Sequence, residues 1–496
     1  MRMRRLLCQV MIAALFGLAA STVPALAMID GVTGSTFNLI ADSGRVVTPD
    51  GSSLPFWGYG LASSGKPQYP GPTLIVNQGD TVTIQLTNRL AEEVSLMIPG
   101  VQMSSATAPV YPQGSRSQLT SLVPAASGGG GTRSYTFTAS RPGTFYYQSG
   151  SNQKIQLRMG LFGAIVVRPT QNSTTKTIDI AAQRLNDPAN PGVAAVSRSY
   201  TRFAYEDGDG STGYDREFLF LVSEMDPNFQ HWVEFDRPLG KPFDFSKWKA
   251  NYWFINGRAA PDTMAMPNVP WLPSQPYNCM PLFHPAERVL LRFINMGQDF
   301  HPFHTHGNHM LAVAEDGRLL STNPGAAGAD LAWEAFTVTL APGKTIDALF
   351  QWTGRGLGWD FYDHGSEDMP APYEPLDEHA MRKAFAVNTS PGNPPASGQS
   401  LPVIMPRPDE QTLGIHWSGS PFLGSNAELP VGEGGFNPFS GYFYMWHSHS
   451  ERELTNNNIF PGGFLTMAGV VPWPMGWPNV PDNLDESDMY APMAGM

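Results

Sequence analysis

Short apolar runs, some alternating with polar residues and some continuous, recur along most of the chain and are separated by glycine, proline and polar turns. The alternation is clearest at Thr81-Val82-Thr83-Ile84-Gln85-Leu86, where Val82, Ile84 and Leu86 fall on one face of a strand. Similar runs at 36–40, 73–76, 134–137, 143–147 and 161–167 predict a first β-sandwich within residues 28–169. Residues 170–215 are polar and read as a linker. The acidic run Glu206-Asp207-Gly208-Asp209-Gly210 lacks the pattern of a calcium loop and reads as a solvated turn. Strand-like runs resume at 217–222, 253–257, 288–295, 335–340 and 346–352, and once more at Tyr442-Phe443-Tyr444-Met445-Trp446, predicting a second β unit over 216–472. Residues 353–440 break the pattern and read as a large loop insertion in that unit. Residues 473–496, rich in proline and methionine, read as a surface tail.

Composition agrees with a mostly β chain: 50 glycines, 45 prolines and only 15% charged residues in 496 positions. The N-terminus places Arg2, Arg4 and Arg5 before an apolar stretch and Ala25-Leu26-Ala27, the order of a secretory signal peptide over 1–27. A secreted or periplasmic protein beginning near Met28 is expected, with no later stretch long enough to span a membrane. Removing the leader takes three of the 31 basic residues and none of the 43 acidic ones, moving the net charge from −12 to −15. Such a balance argues against nucleic acid or an anionic membrane as partner. Cys8 leaves with the leader, and Cys279 alone cannot form an intrachain disulfide.

Four of the eleven histidines fall within His301-Pro302-Phe303-His304-Thr305-His306-Gly307-Asn308-His309. If that run continues as a strand, His304 and His306 share a face. A second H-x-H pair, His447-Ser448-His449, follows the aromatic strand near the C-terminus. Two such pairs supply the imidazole nitrogens of a metal site, suited to copper, zinc or iron, whereas a lone histidine reads more simply as a hydrogen-bonded core residue. His309, His364, His379 and His416 have no partner at ligand spacing, although Asp363 adjoins His364.

Tyr69-Pro70-Gly71-Pro72-Thr73-Leu74, Asn77-Gln78-Gly79-Asp80-Thr81-Val82, Pro142-Gly143-Thr144-Phe145-Tyr146-Tyr147 and Met159-Gly160-Leu161-Phe162-Gly163 resemble the first cupredoxin domain of the multicopper oxidases. His301-Pro302-Phe303-His304-Thr305-His306-Gly307 resembles that family's H-P-x-H-x-H-G, and Ala341-Pro342-Gly343 the turn after it. The resemblance implies an all-β fold of two cupredoxin-like Greek-key sandwiches. It also implies a trinuclear copper cluster on four histidine pairs and a mononuclear copper held by a cysteine and two histidines. By resemblance His301 would serve the mononuclear copper, and His304, His306, His447 and His449 the cluster.

The chain keeps only part of that apparatus. Met97-Ile98-Pro99-Gly100 and Gln148-Ser149-Gly150 stand where the first-domain pairs belong, Ser448 replaces the thiolate, Glu453 replaces the next histidine, and Gly463-Phe464 replaces a glycine-methionine end. A hydroxyl cannot act as the soft ligand of a blue copper. The surviving half-cluster should therefore converge on one shared point facing the first domain, with Met97, Pro99, Gln148 and Gly150 across the gap. Copper is the expected ion and zinc the runner-up, against an unmetallated relic. Two functions follow: an oxidoreductase using a reduced, mononuclear, His-ligated copper site open to a small reductant, or a non-enzymatic protein that handles copper or serves as a scaffold. The resemblance also makes a homotrimer the expected assembly.

Overall fold

A computed structural model describes residues 29–101, 103, 121–179, 197–283, 287–307, 309–351 and 442–470. The leader, the insertion with Asp363, His364, His379 and His416, and the tail lie outside the described residues. The first domain contains β1 (Thr36–Val47), β2 (Ser53–Leu61), β3 (Gly71–Asn77), β4 (Thr81–Asn88), β5 (Gly131–Thr138), β6 (Gly143–Gln148) and β7 (Phe162–Arg168). One sheet has the order β2-β1-β4-β5; in the other, β3 pairs with β7 and β7 with β6. On β4 the predicted alternation is observed, with Val82, Ile84 and Leu86 wholly buried against Leu39, Val76, Tyr135 and Phe137.

The second domain is built from β8 (Arg216–Met225), β9 (Tyr252–Ile255), β10 (Arg288–Asn295), β11 (His301–Thr305), β12 (Met310–Glu315), β13 (Thr337–Leu340), β14 (Thr345–Gln351), β15 (Tyr442–Ser448) and β16 (Leu465–Val470). Its inner sheet runs β9-β8-β10-β14-β12 and its outer sheet β16-β15-β11-β13. Although many residues separate β14 from β15, β15 pairs with both β11 and β16. The two sheets enclose an aromatic core of Phe220, Phe293, Phe303, Phe350 and Trp446. Both domains are all-β sandwiches.

Strand periodicity also sets how the domains meet. On β8, Phe220 and Val222 face the second domain's own core, whereas Leu219, Leu221 and Met225 face Tyr69, Ile75, Phe162 and Val166 of the first domain. A buried ionic network reinforces this contact. Glu217 receives Arg168 Nη1 at 2.7 Å and Arg292 Nε at 2.9 Å, and Thr144 links Arg292 to Asp347. The first domain therefore covers the inner sheet, leaving the outer sheet with its histidines on the far side.

The acidic run at 206–210 departs from the expected solvated turn. Asp207 is wholly buried, because Gln171 Nε2, Gly210 N, Thr212 N and Thr212 Oγ1 all donate to its carboxylate. Four donors replace the water that a buried carboxylate loses.

Candidate metal centre

β11 and β15 lie antiparallel, with His304 opposite His447 and Phe303 opposite Ser448. Side chains alternate across a sheet, so His304, His306, His447 and His449 share the outer face while His301, Phe303 and Ser448 share the inner one. Phe303 sets this orientation. It is fully buried, with ring centroids 5.2 Å from Phe220 and 5.0 Å from Phe293. Gly307, at φ +96°, turns the chain immediately after His306, a conformation that suits glycine.

On the outer face the two H-x-H pairs converge. The available nitrogens of His304, His306 and His447 lie within 4.8 Å of one another, and the His449 ring stands 4.4 Å from that of His304. His306 Nε2 and His447 Nε2 are 3.2 Å apart. Two nitrogens each about 2.0–2.1 Å from one ion in tetrahedral geometry would be about 3.3 Å apart. His447 Nδ1 donates to the Ser448 carbonyl at 2.7 Å, which leaves Nε2 with its lone pair; Thr337 Oγ1 on β13 lies 2.7 Å from His304 Nδ1. His306 Nδ1 is buried without a hydrogen-bond partner.

Electrostatics favour the ligating form. Burial, followed by the repulsion of neighbouring imidazoles, pushes the pKa of His304 and His306 down to about 4. Burial likewise lowers His447, against the opposing Ser448 carbonyl. Neutral imidazoles with converging lone pairs and an orphaned buried nitrogen fit a bound metal ion. His309 stands outside this group, its ring stacked on Phe336 at 3.6 Å.

Residues 64–172 match the family model for multicopper oxidases. The first domain is thus similar to that of the multicopper oxidases. Copper resistance protein A of Pseudomonas syringae pv. tomato is 25% identical over 261 residues, covering 51% of this chain and 38% of that protein. L-ascorbate oxidase of Cucurbita pepo var. melopepo is 33% identical over 110 residues, 21% of this chain and 17% of that one. A probable nitrite reductase-hydroxylamine oxidoreductase fusion protein of Kuenenia stuttgartiensis is 23% identical over 322 residues, 63% and 28% respectively. The chain spans less than half the length of each of these relatives. Among solved structures, the multicopper oxidase mgLAC aligns over 91% of this chain and 93% of its own, with a TM-score of 0.47 and 16% identity. Copper is the metal implied by these multicopper oxidase relatives and suited to the imidazole donors.

The inner face departs from the multicopper oxidase pattern. His301 does not join the histidine cluster, because its position on β11 points it the opposite way. Its Nε2 lies 3.0 Å from Glu224 and its Nδ1 3.0 Å from Glu453. Burial alone would lower its pKa, but the two carboxylates outweigh that effect and hold it up to about 9. The expectation of His301 as a metal ligand is corrected accordingly: both ring nitrogens are engaged by carboxylates. Glu224 sits on a strand whose apolar run conceals it in the sequence. Cys279 is buried, its Sγ 3.0 Å from the Ile255 carbonyl, and burial pushes its thiol up to about 12, so it does not supply a thiolate.

A second correction concerns the wall expected opposite the histidines. Met97 and Gln148 pair through their backbones at 2.8 Å, and the nearest neighbours around Gly150 are Ser95, Met97 and Val123, all in the first domain. Pro99 lines a cleft with Arg141, Tyr146 and Pro342 instead. The first domain packs on the inner sheet, so these residues do not close the histidine site within one chain. Among the described residues none covers its outer side, and His449 is exposed.

Proposed function

We propose that the chain is an exported oxidoreductase that uses a single copper centre held by His304, His306, His447 and His449. The convergence of nitrogens from His304, His306 and His447 within 4.8 Å carries this reading. Copper there would supply a one-electron redox change and an open coordination position. The chain's own residues prepare the site: Thr337 fixes the His304 ring, the Ser448 carbonyl fixes His447, and burial keeps His304 and His306 unprotonated at neutral pH. With no thiolate relay on the inner face, a small reductant or oxygen species must reach the centre from the exposed His449 side.

Copper analysis of the loaded mature protein, with an absorption spectrum, tests this. One copper per chain and no intense visible thiolate band are expected; a blue protein, four coppers or no bound copper would each overturn the assignment. The similarity to copper resistance protein A supports a second reading, copper handling without turnover. Bound copper with no oxidation of small reductants would select it.

Export and assembly belong to the same proposal. The leader pattern supports cleavage near Met28, and the exposed Phe300 and Phe336, on or beside the strands that carry the cluster, support closure of the open side by another copy in a homotrimer. Native mass spectrometry of the exported protein should show three copies, each lacking the first 27 residues. A monomer would sink the assembly, and retained Met1 the export.

A further inference from the structure

The pocket behind β11 lies where the family's mononuclear copper would bind, and its residues do not fit that ion. We infer that this pocket has become a metal-excluding rivet in which His301, as an imidazolium, is clasped between Glu224 and Glu453 and ties the two sheets of the second domain together. The inference stands independently of the four-histidine centre, since it concerns the opposite face of the same strands.

The three side chains come from three separate elements. Glu224 projects from the inner face of β8 in one sheet, His301 opens β11 in the other, and Glu453 belongs to the 3-10 turn Glu451–Leu454 after β15. All three are buried. Both ring nitrogens of His301 face carboxylate oxygens at 3.0 Å. A neutral imidazole has one N–H and would turn a bare lone pair toward one of those oxygens. An imidazolium donates to both.

The remaining donors are engaged as well. Ser448 Oγ donates to Glu453 Oε2 at 2.7 Å and accepts from Ser450 N at 3.0 Å, while the Gln298 amide donates to the other oxygen of Glu224. The edge of Phe464 closes another side, with ring centroids 4.8 Å from His301. Position 297 must be glycine for Glu224 to sit there, because a Cβ would fall 1.8 Å from Glu224 Oε2. A protonated ring thus supplies the positive charge and the cross-strand tie that a metal would otherwise provide. The pocket's proton-for-metal exchange also explains why a carboxylate at 453 is compatible with a hydroxyl at 448: the pair forms one hydrogen-bonded unit around His301.

The test uses the mature full chain, titrated with copper and followed by metal analysis and visible absorption. Ser448→Cys alone should gain neither an extra copper nor an intense band, because Glu453 still holds His301 Nδ1. Ser448→Cys with Glu453→His removes that clasp, completes a His-Cys-His set, and should gain one further copper with the band. A blue centre in Ser448→Cys alone would overturn the inference. Should the double variant fail to fold, two other measurements still decide. In the unaltered protein, 15N spectra should show both His301 ring nitrogens protonated at neutral pH, and a singly protonated ring refutes the clasp. His301→Gln should keep the full copper count while lowering Tm by about 5–10 °C, the effect of leaving buried carboxylates uncompensated. A drop in copper count would instead make His301 a ligand, and an unchanged Tm would remove the rivet. Failure of the four-histidine centre would appear separately, as undiminished copper binding in His447→Ala.

Discussion

Replacing His306 or His447 by alanine should weaken copper binding by at least about 100-fold, since each removes a nitrogen donor where the loss of even an orienting partner typically weakens affinity 10–100-fold. These two nitrogens, 3.2 Å apart, come from adjacent strands, so either deletion removes one of the two donors on its side of the site. Thr337→Val keeps all four imidazoles but frees His304 to rotate, and should weaken binding about tenfold. His231→Ala, at an exposed position whose ring packs on Phe235 and not on the cluster, should leave affinity unchanged. Competition titration with a copper chelator reads all four variants. Equal affinities throughout would remove the outer-face centre.

Arg292→Met should destabilise the protein by about 3–5 kcal/mol, because it breaks a buried ion pair and leaves carboxylates behind. Arg292 is fully buried, donates to Glu217 and Thr144, and lies 3.7 Å from Asp347. The loss falls on the contact between domains, since Arg168 and Thr144 come from the first and Glu217, Arg292 and Asp347 from the second. The pH dependence has a definite sign. Burial opposes ionisation of Glu217, but Arg168 and Arg292 outweigh it and depress the pKa from 4.5 to about 2. Its contribution is therefore fully present above about pH 4.5 and is lost as pH falls through about 2. Urea unfolding of both proteins at neutral and acidic pH should show the gap between them narrowing at low pH. A gap that stays constant or widens would mean that Glu217 does not derive its stability from this pair.

Regular alternation makes the outer-face cluster readable in the sequence alone. His304 and His306 are two residues apart on a strand, as are His447 and His449, and no tertiary information is needed to put each pair on one face. The register of β15 against β11 does require it, yet the aromatic runs around both strands already marked them as core-lining. Glu224 was not readable in this way. It lies 77 positions before His301, at the end of a run whose apolar residues suggest only a buried strand, and the stacking of two sheets is what brings it to the imidazole. The direction of the first domain was equally hidden, because Leu219 and Leu221 have the same apolar character as Phe220 and Val222, and composition does not say which neighbour each face covers. The burial of Asp207 is hidden for a related reason: its four donors come from Gln171 and from a turn whose closure local sequence does not announce.

The back-to-back arrangement on β11 and β15 has a consequence for how such a protein can be altered. Positions 301, 303 and 448 form one address and positions 304, 306, 447 and 449 another, interleaved along the same few residues but separated by the thickness of the sheet. A designer could therefore rewrite the inner address, exchanging an ion-pair clasp for a metal or an apolar plug, without touching a single donor of the outer one. An insertion or deletion of one residue within either strand would have the opposite character, since it would swap the two addresses at a stroke and turn imidazoles into the core.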